Sequence, residues 1–329
     1  MLSNQIDGFH VVTAPGDESV QLVVDTSRLD EVLVAGLDNP EFVTASGAVE
    51  RWIGGGRVPH PVIRVGDEQW LLKSYRRGGL VSLWNQGFYF GRRRFLRELE
   101  VCVAAVKAGI PTVVPIALVV KAYWFGAVRA WLLTPFLSDA RSLGERLADV
   151  MDAGDTDPAA VMRLQRAFHV AGVCVRRMHG AGIDHPDLNL TNLLVTESDF
   201  GLDADSSGEA SVVIVDWDRA RRHARLGNAG FRNLLRLYRS GLKLQRLSEF
   251  AASSRGRWRQ YCLGSCARSF LRGYFSTAGD PGESVSVERG AKGLRRLKQY
   301  YRRRRFLEYL LHRAFRRTIF SSKSSTRAD

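Results

Sequence analysis

Apolar and polar positions along the chain fall into a few distinct periods. Gln69-Trp70-Leu71-Leu72-Lys73-Ser74-Tyr75 reads as a strand that carries a lysine inside it. From Arg92 to Ala108 the apolar residues Phe95, Leu99, Cys102, Val103 and Val106 recur at helical spacing, and Gly109-Ile110-Pro111 ends the run. Two apolar strands are expected next, Val114 to Tyr123 and Val128 to Thr134, followed by a short helix from Leu143 to Val150. A polar loop at residues 152–158 caps a longer helix over Ala159 to His179. That helix places Val161, Leu164, Phe168, Ala171, Val175 and Met178 on one face. His169 and His179 ride on it, and His179 near its C-terminus reads as a packing and capping residue.

Two shorter apolar runs carry the chemistry. Leu193-Leu194-Val195 follows Asp184-His185-Pro186-Asp187-Leu188-Asn189-Leu190-Thr191-Asn192, and Val212-Val213-Ile214-Val215 delivers Asp216-Trp217-Asp218. A tight loop anchored by a strand can hold a carboxylate near an attacking hydroxyl and a neutral oxygen ligand near a metal ion. A second strand ending in an acid can hold the other side of that metal. Singly, Asp and Asn are common turn formers. The joint order and spacing match the catalytic loop and metal-binding Asp of a protein-kinase-like fold, an α+β architecture with a small β-rich N-lobe and a larger helical C-lobe.

Composition narrows the setting. The chain has 329 residues, enough for about two lobes of ordinary domain size. Cys102, Cys174, Cys262 and Cys266 show no metal-ligand spacing, and Cys102 and Cys174 sit in apolar helical patterns, so a reducing compartment without structural zinc is expected. The N-terminus lacks the basic start and apolar stretch of a secretory signal, and no run is long enough to span a bilayer. The net charge of +14 calls for an anionic partner, which charge alone leaves open among nucleic acid, a membrane surface and a phosphorylated substrate.

Several features keep two readings. Gly54-Gly55-Gly56 is either a plain turn or a cover over phosphates. Lys73 is either a snorkelling surface residue or the partner of a buried acid, with Glu98 and Glu100 both on the next helix. From about Arg289, Leu294, Leu297, Tyr301, Leu307, Leu310, Leu311 and Phe315 alternate with arginines. This is a basic amphipathic helix suited either to an anionic membrane face or to packing on the C-terminal lobe. Residues 1–45 contain short mixed runs such as Val20-Gln21-Leu22-Val23-Val24 and suggest no role. The expected division is 1–45, an N-lobe at 46–137, a C-lobe at 138–286 and a basic extension at 287–329.

A wider set of segments resembles the lipopolysaccharide kinase family. They are Leu72-Lys73-Ser74-Tyr75-Arg76-Arg77-Gly78-Gly79-Leu80, Arg97-Glu98-Leu99, Ala108-Gly109-Ile110-Pro111 and His185-Pro186-Asp187-Leu188-Asn189-Leu190-Thr191-Asn192. Val215-Asp216-Trp217-Asp218-Arg219 and Asn233-Leu234-Leu235-Arg236-Leu237-Tyr238-Arg239-Ser240 complete the set. The resemblance implies ATP, Mg²⁺ or Mn²⁺, and phosphorylation of a hydroxyl on a lipid-anchored inner-core sugar of the 3-deoxy-D-manno-octulosonic acid (Kdo) type. It implies Lys73 on the nucleotide phosphates with Glu98 orienting it, Asp187 as catalytic carboxylate, and Asn192 and Asp216 on the metal. His185 braces the loop, and Asp218 is a ligand or a brace. In this fold the backbone of Phe136 and Leu137 faces the adenine, and Gly55 and Gly56 lie over the phosphates. Arg76, Arg77 and Arg219 are candidates for the anionic acceptor, each equally readable as a solvated loop arginine. Two departures are Trp217 in place of the usual Phe and Pro186 in place of a small residue. No nucleic acid is expected as partner. The expected location is the cytoplasm, peripheral on the inner membrane, and the sequence carries no signal of oligomeric state. Two other functions stay open: a protein or small-molecule kinase of the same fold, and a non-catalytic basic module for membrane or nucleic acid.

Overall fold

The structure is a computed structural model that describes residues 6–45, 47–54, 59–75, 87–154, 157–201, 212–247 and 254–276, with the single positions Arg295 and Gln299. The chain up to Pro135 is built on one antiparallel sheet. Its strands are β1 (Phe9–Ala14), β2 (Asp17–Asp25), β3 (Val49–Ile53), β4 (His60–Val65), β5 (Glu68–Ser74), β6 (Tyr89–Phe90), β7 (Ala117–Ala122) and β8 (Ala127–Pro135). Their order is β1-β2-β7-β8-β5-β4-β3, with β6 also pairing to β8.

Helix α3 (Arg93–Lys107) covers one face of this sheet, where Phe95 and Leu99 pack with Leu118, Val120 and Leu132. The opposite face is covered by α1 (Leu29–Val34), α2 (Pro40–Ala45) and the turn between them, through Val32, Val43 and Leu37 against Leu22, Leu72 and Leu133. Residues 6–45 therefore have a structural role that their short runs did not suggest. The boundary expected at residue 45 is not a break in the sheet. Strand β2 pairs with β7 from Val20↔Lys121 to Val24↔Ala117, and the helices after it close the second face. Val20, Leu22, Val23 and Val24 are all buried, so this strand is covered on both sides and reads as a run rather than an alternation.

The rest of the chain is mainly helical. It comprises β9 (Ala140–Ser142), α4 (Leu143–Ala153), α5 (Pro158–Gly180), β10 (Ile183–Asp184), β11 (Leu193–Thr196), α6 (Glu197–Gly201), β12 (Val213–Ile214), β13 (Arg221–Arg222), α7 (Asn228–Leu247) and α8 (Ser254–Phe275). Ser142 and Glu145 form a capping box at the start of α4, and Asp157 caps α5 by accepting from the Ala160 N–H at 2.9 Å. All six apolar residues expected on one face of α5 are buried in the lobe core. Helices α5 and α8 cross closely at glycines: a methyl carbon built on Gly172 would overlap the Phe270 carbonyl, and one on Gly273 the His169 carbonyl. The four cysteines are buried and form no disulfide. No described helix is long and apolar enough to cross a membrane.

The buried face of α3 is rotated from the expected one. Val106 is exposed, while Val101, Ala105 and the charged Glu98 point inward. A buried carboxylate needs a cationic partner, and the location of that partner sets the rotation.

Candidate active site

Strand β5 and helix α3 bring that partner in. Lys73 Nζ lies 2.8 Å from Glu98 Oε1. The other Glu98 oxygen accepts from the Tyr75 hydroxyl at 2.7 Å. Tyr75 follows Lys73 by two residues, which puts both side chains on the same face of the strand. Of the two acids considered for Lys73, Glu98 is chosen and Glu100 faces solvent. Burial raises the Glu98 carboxyl above its ordinary value, although the Lys73 charge acts against it.

Lys73 also reaches across to the second half of the chain. Its ammonium is 2.5 Å from Asp216 Oδ1. Burial disfavours the charged lysine, but Glu98 and Asp216 outweigh it and raise its pKa. Burial likewise acts to raise the Asp216 pKa, and the Lys73 charge outweighs that and lowers it. Lys73 is thus an ammonium held between two carboxylates, not a snorkelling surface residue. Asp216 has φ 64°, in the left-handed region that a non-glycine residue seldom takes. Strained backbone of this kind persists where its surroundings hold it.

The loop from His185 to Asn192 is fastened beside Asp216. The Asn192 side-chain amide donates to the Asp187 carbonyl at 3.0 Å, closing the loop, and the Asn192 oxygen accepts a long bond from the Thr191 hydroxyl at 3.5 Å. The Val215 N–H donates to the Asn192 carbonyl at 3.1 Å, and His185 Nε2 donates to the Val215 carbonyl at 3.1 Å. His185 is fully buried, and burial lowers its pKa, so it braces the loop as a neutral ring. The Asp187 carboxylate itself faces solvent. Asn233 secures the loop from beneath: its amide donates to Asp184 at 2.9 Å and to the His185 carbonyl at 3.0 Å, and its oxygen accepts from the His185 N–H at 3.1 Å.

Asp218 is tied to helix α3. Arg94, one turn before Glu98 on α3, donates to both Asp218 oxygens, at 3.0 and 2.5 Å. Trp217 is buried between them, and its indole N–H donates to Thr112 Oγ1 at 2.8 Å. Thr112 in turn donates to the Ile214 carbonyl at 2.7 Å. The linker after α3 is therefore stitched to the strand that delivers Asp216.

Of the two expected adenine contacts, Phe136 has its N–H committed to the Gln69 carbonyl at 2.7 Å, because the β5–β8 ladder continues one residue past the strand. This leaves the Leu137 amide as the remaining donor of the pair. Arg219 is exposed, with its guanidinium 3.9 Å from Asp218. Gly55, Gly56, Arg76 and Arg77 lie outside the described residues, as does the basic extension at 287–329 apart from Arg295 and Gln299.

Arg94, Tyr75, Thr112 and Asn233 are site-supporting residues that the motifs did not single out. Arg94 had a signal in its i, i+4 spacing from Glu98, and Tyr75 in its strand face.

A sheet lobe with a buried lysine–glutamate pair, above a helical lobe with an Asp-loop-Asn and a strand-borne Asp, defines a protein-kinase-like fold. Comparison with known proteins agrees. A solved structure of WaaP in complex with acyl carrier protein superposes with a TM-score of 0.52 at 20% identity, covering 86% of this chain and 98% of that one. The lipopolysaccharide kinase (Kdo/WaaP) family pattern matches residues 57–261, and the chain belongs to that family. A 3-deoxy-D-manno-octulosonic acid kinase of Xanthomonas oryzae pv. oryzae is 30% identical over 179 residues, spanning 53% of this chain and 62% of the relative. Its counterpart in Xanthomonas campestris pv. campestris is 31% identical over the same length.

Proposed function

We propose that this protein transfers the γ-phosphoryl group of ATP to a hydroxyl of a Kdo-type sugar on a lipid-anchored lipopolysaccharide precursor. The observation that carries this reading is Lys73, held between Glu98 and Asp216 beside a loop closed by Asn192. The family's relatives named as Kdo kinases support the acceptor class.

The residues fit a hard divalent cation such as Mg²⁺. Asn192 Oδ1, which takes only a long 3.5 Å bond from the Thr191 hydroxyl, and the Asp216 oxygen not bonded to Lys73 are hard donors, and among the described residues there is no cluster of three His, Cys, Asp or Glu side chains. Mg²⁺ is usually held by one or two protein oxygens together with substrate phosphates, not by a protein cage. Bound there, the ion supplies charge to offset the phosphate oxygens. Lys73 binds the α- and β-phosphates, with Glu98 fixing its direction. Leu137 offers its amide to the adenine edge. Asp187, exposed at the cleft, aligns the sugar hydroxyl and accepts its proton as the oxygen–phosphorus bond forms. The bond from the γ-phosphorus to the bridging oxygen breaks, and ADP leaves. Arg219, exposed beside Asp218, is the candidate to meet an anionic group of the acceptor. The reaction belongs at the cytoplasmic face of the inner membrane.

The test is transfer of labelled phosphate from ATP to purified Kdo-bearing lipid A precursor, for the parent and Asp187→Asn. The expected result is acceptor-dependent turnover that falls about 10³-fold or more in the variant while nucleotide still binds. Label appearing on protein and never on the lipid overturns the reading.

A further inference from the structure

Large aromatic side chains seldom gather in water at one tip of a soluble protein. Here three do. The β7–β8 hairpin turns through Trp124 and Phe125, which are 73% and 92% exposed, and Phe90 on β6 is 79% exposed. Phe90 pairs with Ala127, and the Gly91 N–H donates to the Gly126 carbonyl at 3.3 Å, so the rings share one end of the sheet. Phe125 has φ 57°, a left-handed conformation that is unfavourable for a phenylalanine. Its ring gains almost no burial in return.

Two arginines lie beside the tip. Of the cations in segments 88–94 and 121–129, Arg94, Lys121 and Arg129 are paired with Asp218, Asp17 and Glu41, and Arg92 and Arg93 supply the remaining positive charge. Arg92 and Arg93 are exposed, and Arg92 is bonded to the neutral Gln21 amide oxygen, so its charge is not cancelled there. Exposed Trp and Phe beside arginines match the headgroup boundary of an anionic bilayer, where rings enter the interface and guanidinium groups meet phosphates. We propose that the tip formed by Phe90, Trp124 and Phe125 seats the protein on an anionic lipid surface. The tip adjoins the cleft: β6 leads directly into α3, whose Arg94 grips Asp218. A lipid-anchored acceptor would then approach the site from the surface on which the protein rests. The seating rests on exposure and charge, and the phosphoryl-transfer reading is not needed for it.

The experiment uses the full chain with vesicles of phosphatidylethanolamine and phosphatidylglycerol, and with phosphatidylcholine alone as reference. Sedimentation measures partitioning, brominated lipid measures tryptophan quenching, and ATP binding is followed in parallel. The parent is expected to prefer the anionic vesicles and to be released by salt. The triple variant Phe90→Thr, Trp124→Ser, Phe125→Asn is expected to partition at least about tenfold less, with unchanged ATP binding and melting. Trp124→Phe alone is expected to remove most of the lipid-induced quenching while still binding. Equal vesicle binding by parent and triple variant overturns the proposal. So does a parent that ignores vesicles but self-associates through these residues, with the triple variant monomeric; the tip would then be a contact between copies. A parent that binds vesicles but no ATP leaves the seating intact and removes the kinase reading instead.

Discussion

Arg94 grips Asp218 across the junction between the two lobes, with Nε and Nη2 each donating to a different carboxylate oxygen. The pair fixes the first turn of α3 to the segment that carries Asp216. Glu98 lies one turn further along the same helix, so the grip also holds the Glu98–Lys73 pair in register. A lysine at position 94 keeps the charge but not the planar fork. Arg94→Lys is expected to lower the turnover number about tenfold, with a smaller change in the KM for ATP. Asp218→Asn should do the same, and the double variant should be no worse than either. Steady-state kinetics on the three proteins decides it; additive losses would mean that the two residues act separately.

The Thr112–Trp217 hydrogen bond makes a second joint. Thr112→Val leaves both the buried indole N–H and the Ile214 carbonyl without their partner, which is expected to cost about 1–3 kcal/mol. Trp217→Phe removes the donor itself and should cost less per unmet group. Urea unfolding of the singles and the double gives the coupling. The double variant is expected to be more stable than the sum of the singles predicts, because no indole N–H is then stranded.

Long uninterrupted periods were the legible part of this chain. Helix α5 kept its expected face because its 3.6-residue pattern is unbroken and Asp157 caps its start. The loop-borne Asp187 and Asn192 and the strand-borne Asp216 were legible from short-range spacing. What the sequence hid were pairings between distant segments. Strand β2 finds β7 almost a hundred residues later, and nothing local marks Val20 to Val24 as an inner strand. Helix α3 turned its acid inward because Lys73 and Tyr75 wait on β5, a fact outside its own periodicity. The Phe136 amide was lost to Gln69 because a ladder ran one residue past the strand end.

The crossing of α5 and α8 rests on two glycines that no motif marks. Gly172 meets the Phe270 carbonyl, and Gly273 meets the His169 carbonyl, so each helix lets the other's backbone in. Alanine at either position forces the helices apart, and overpacking of this kind typically costs about 1–3 kcal/mol. Gly264 on the same α8 has only ordinary contact with the Arg268 side chain. There alanine is expected to be neutral or to stabilise by up to about 1 kcal/mol through helix propensity. Denaturant midpoints for the three variants make the comparison; equal behaviour at all three sites would remove the close-crossing argument.

His179 should make stability fall on the acid side. Its Nε2 donates to Asn233 Oδ1 at 3.1 Å, and its Nδ1 accepts from the Tyr274 hydroxyl at 2.7 Å, so the neutral ring is fully satisfied. Burial lowers its pKa from 6.5 to about 4, against the opposing effects of the Asn233 hydrogen bond and the Asp184 charge. The unfolded chain therefore binds a proton between pH 6.5 and about 4 that the folded chain refuses. Stability is full above the unfolded pKa and declines as pH drops through that window. From pH 7 to pH 5 this one group should remove roughly 2 kcal/mol. Burial also lowers the pKa of His185, which adds to the slope in the same direction. His179→Gln keeps a side-chain amide for Asn233 and cannot titrate. Urea melts of parent and variant over that pH range should show a parent that weakens faster than His179→Gln; parallel curves would mean that His179 is protonated in the folded protein or titrates alike in both states.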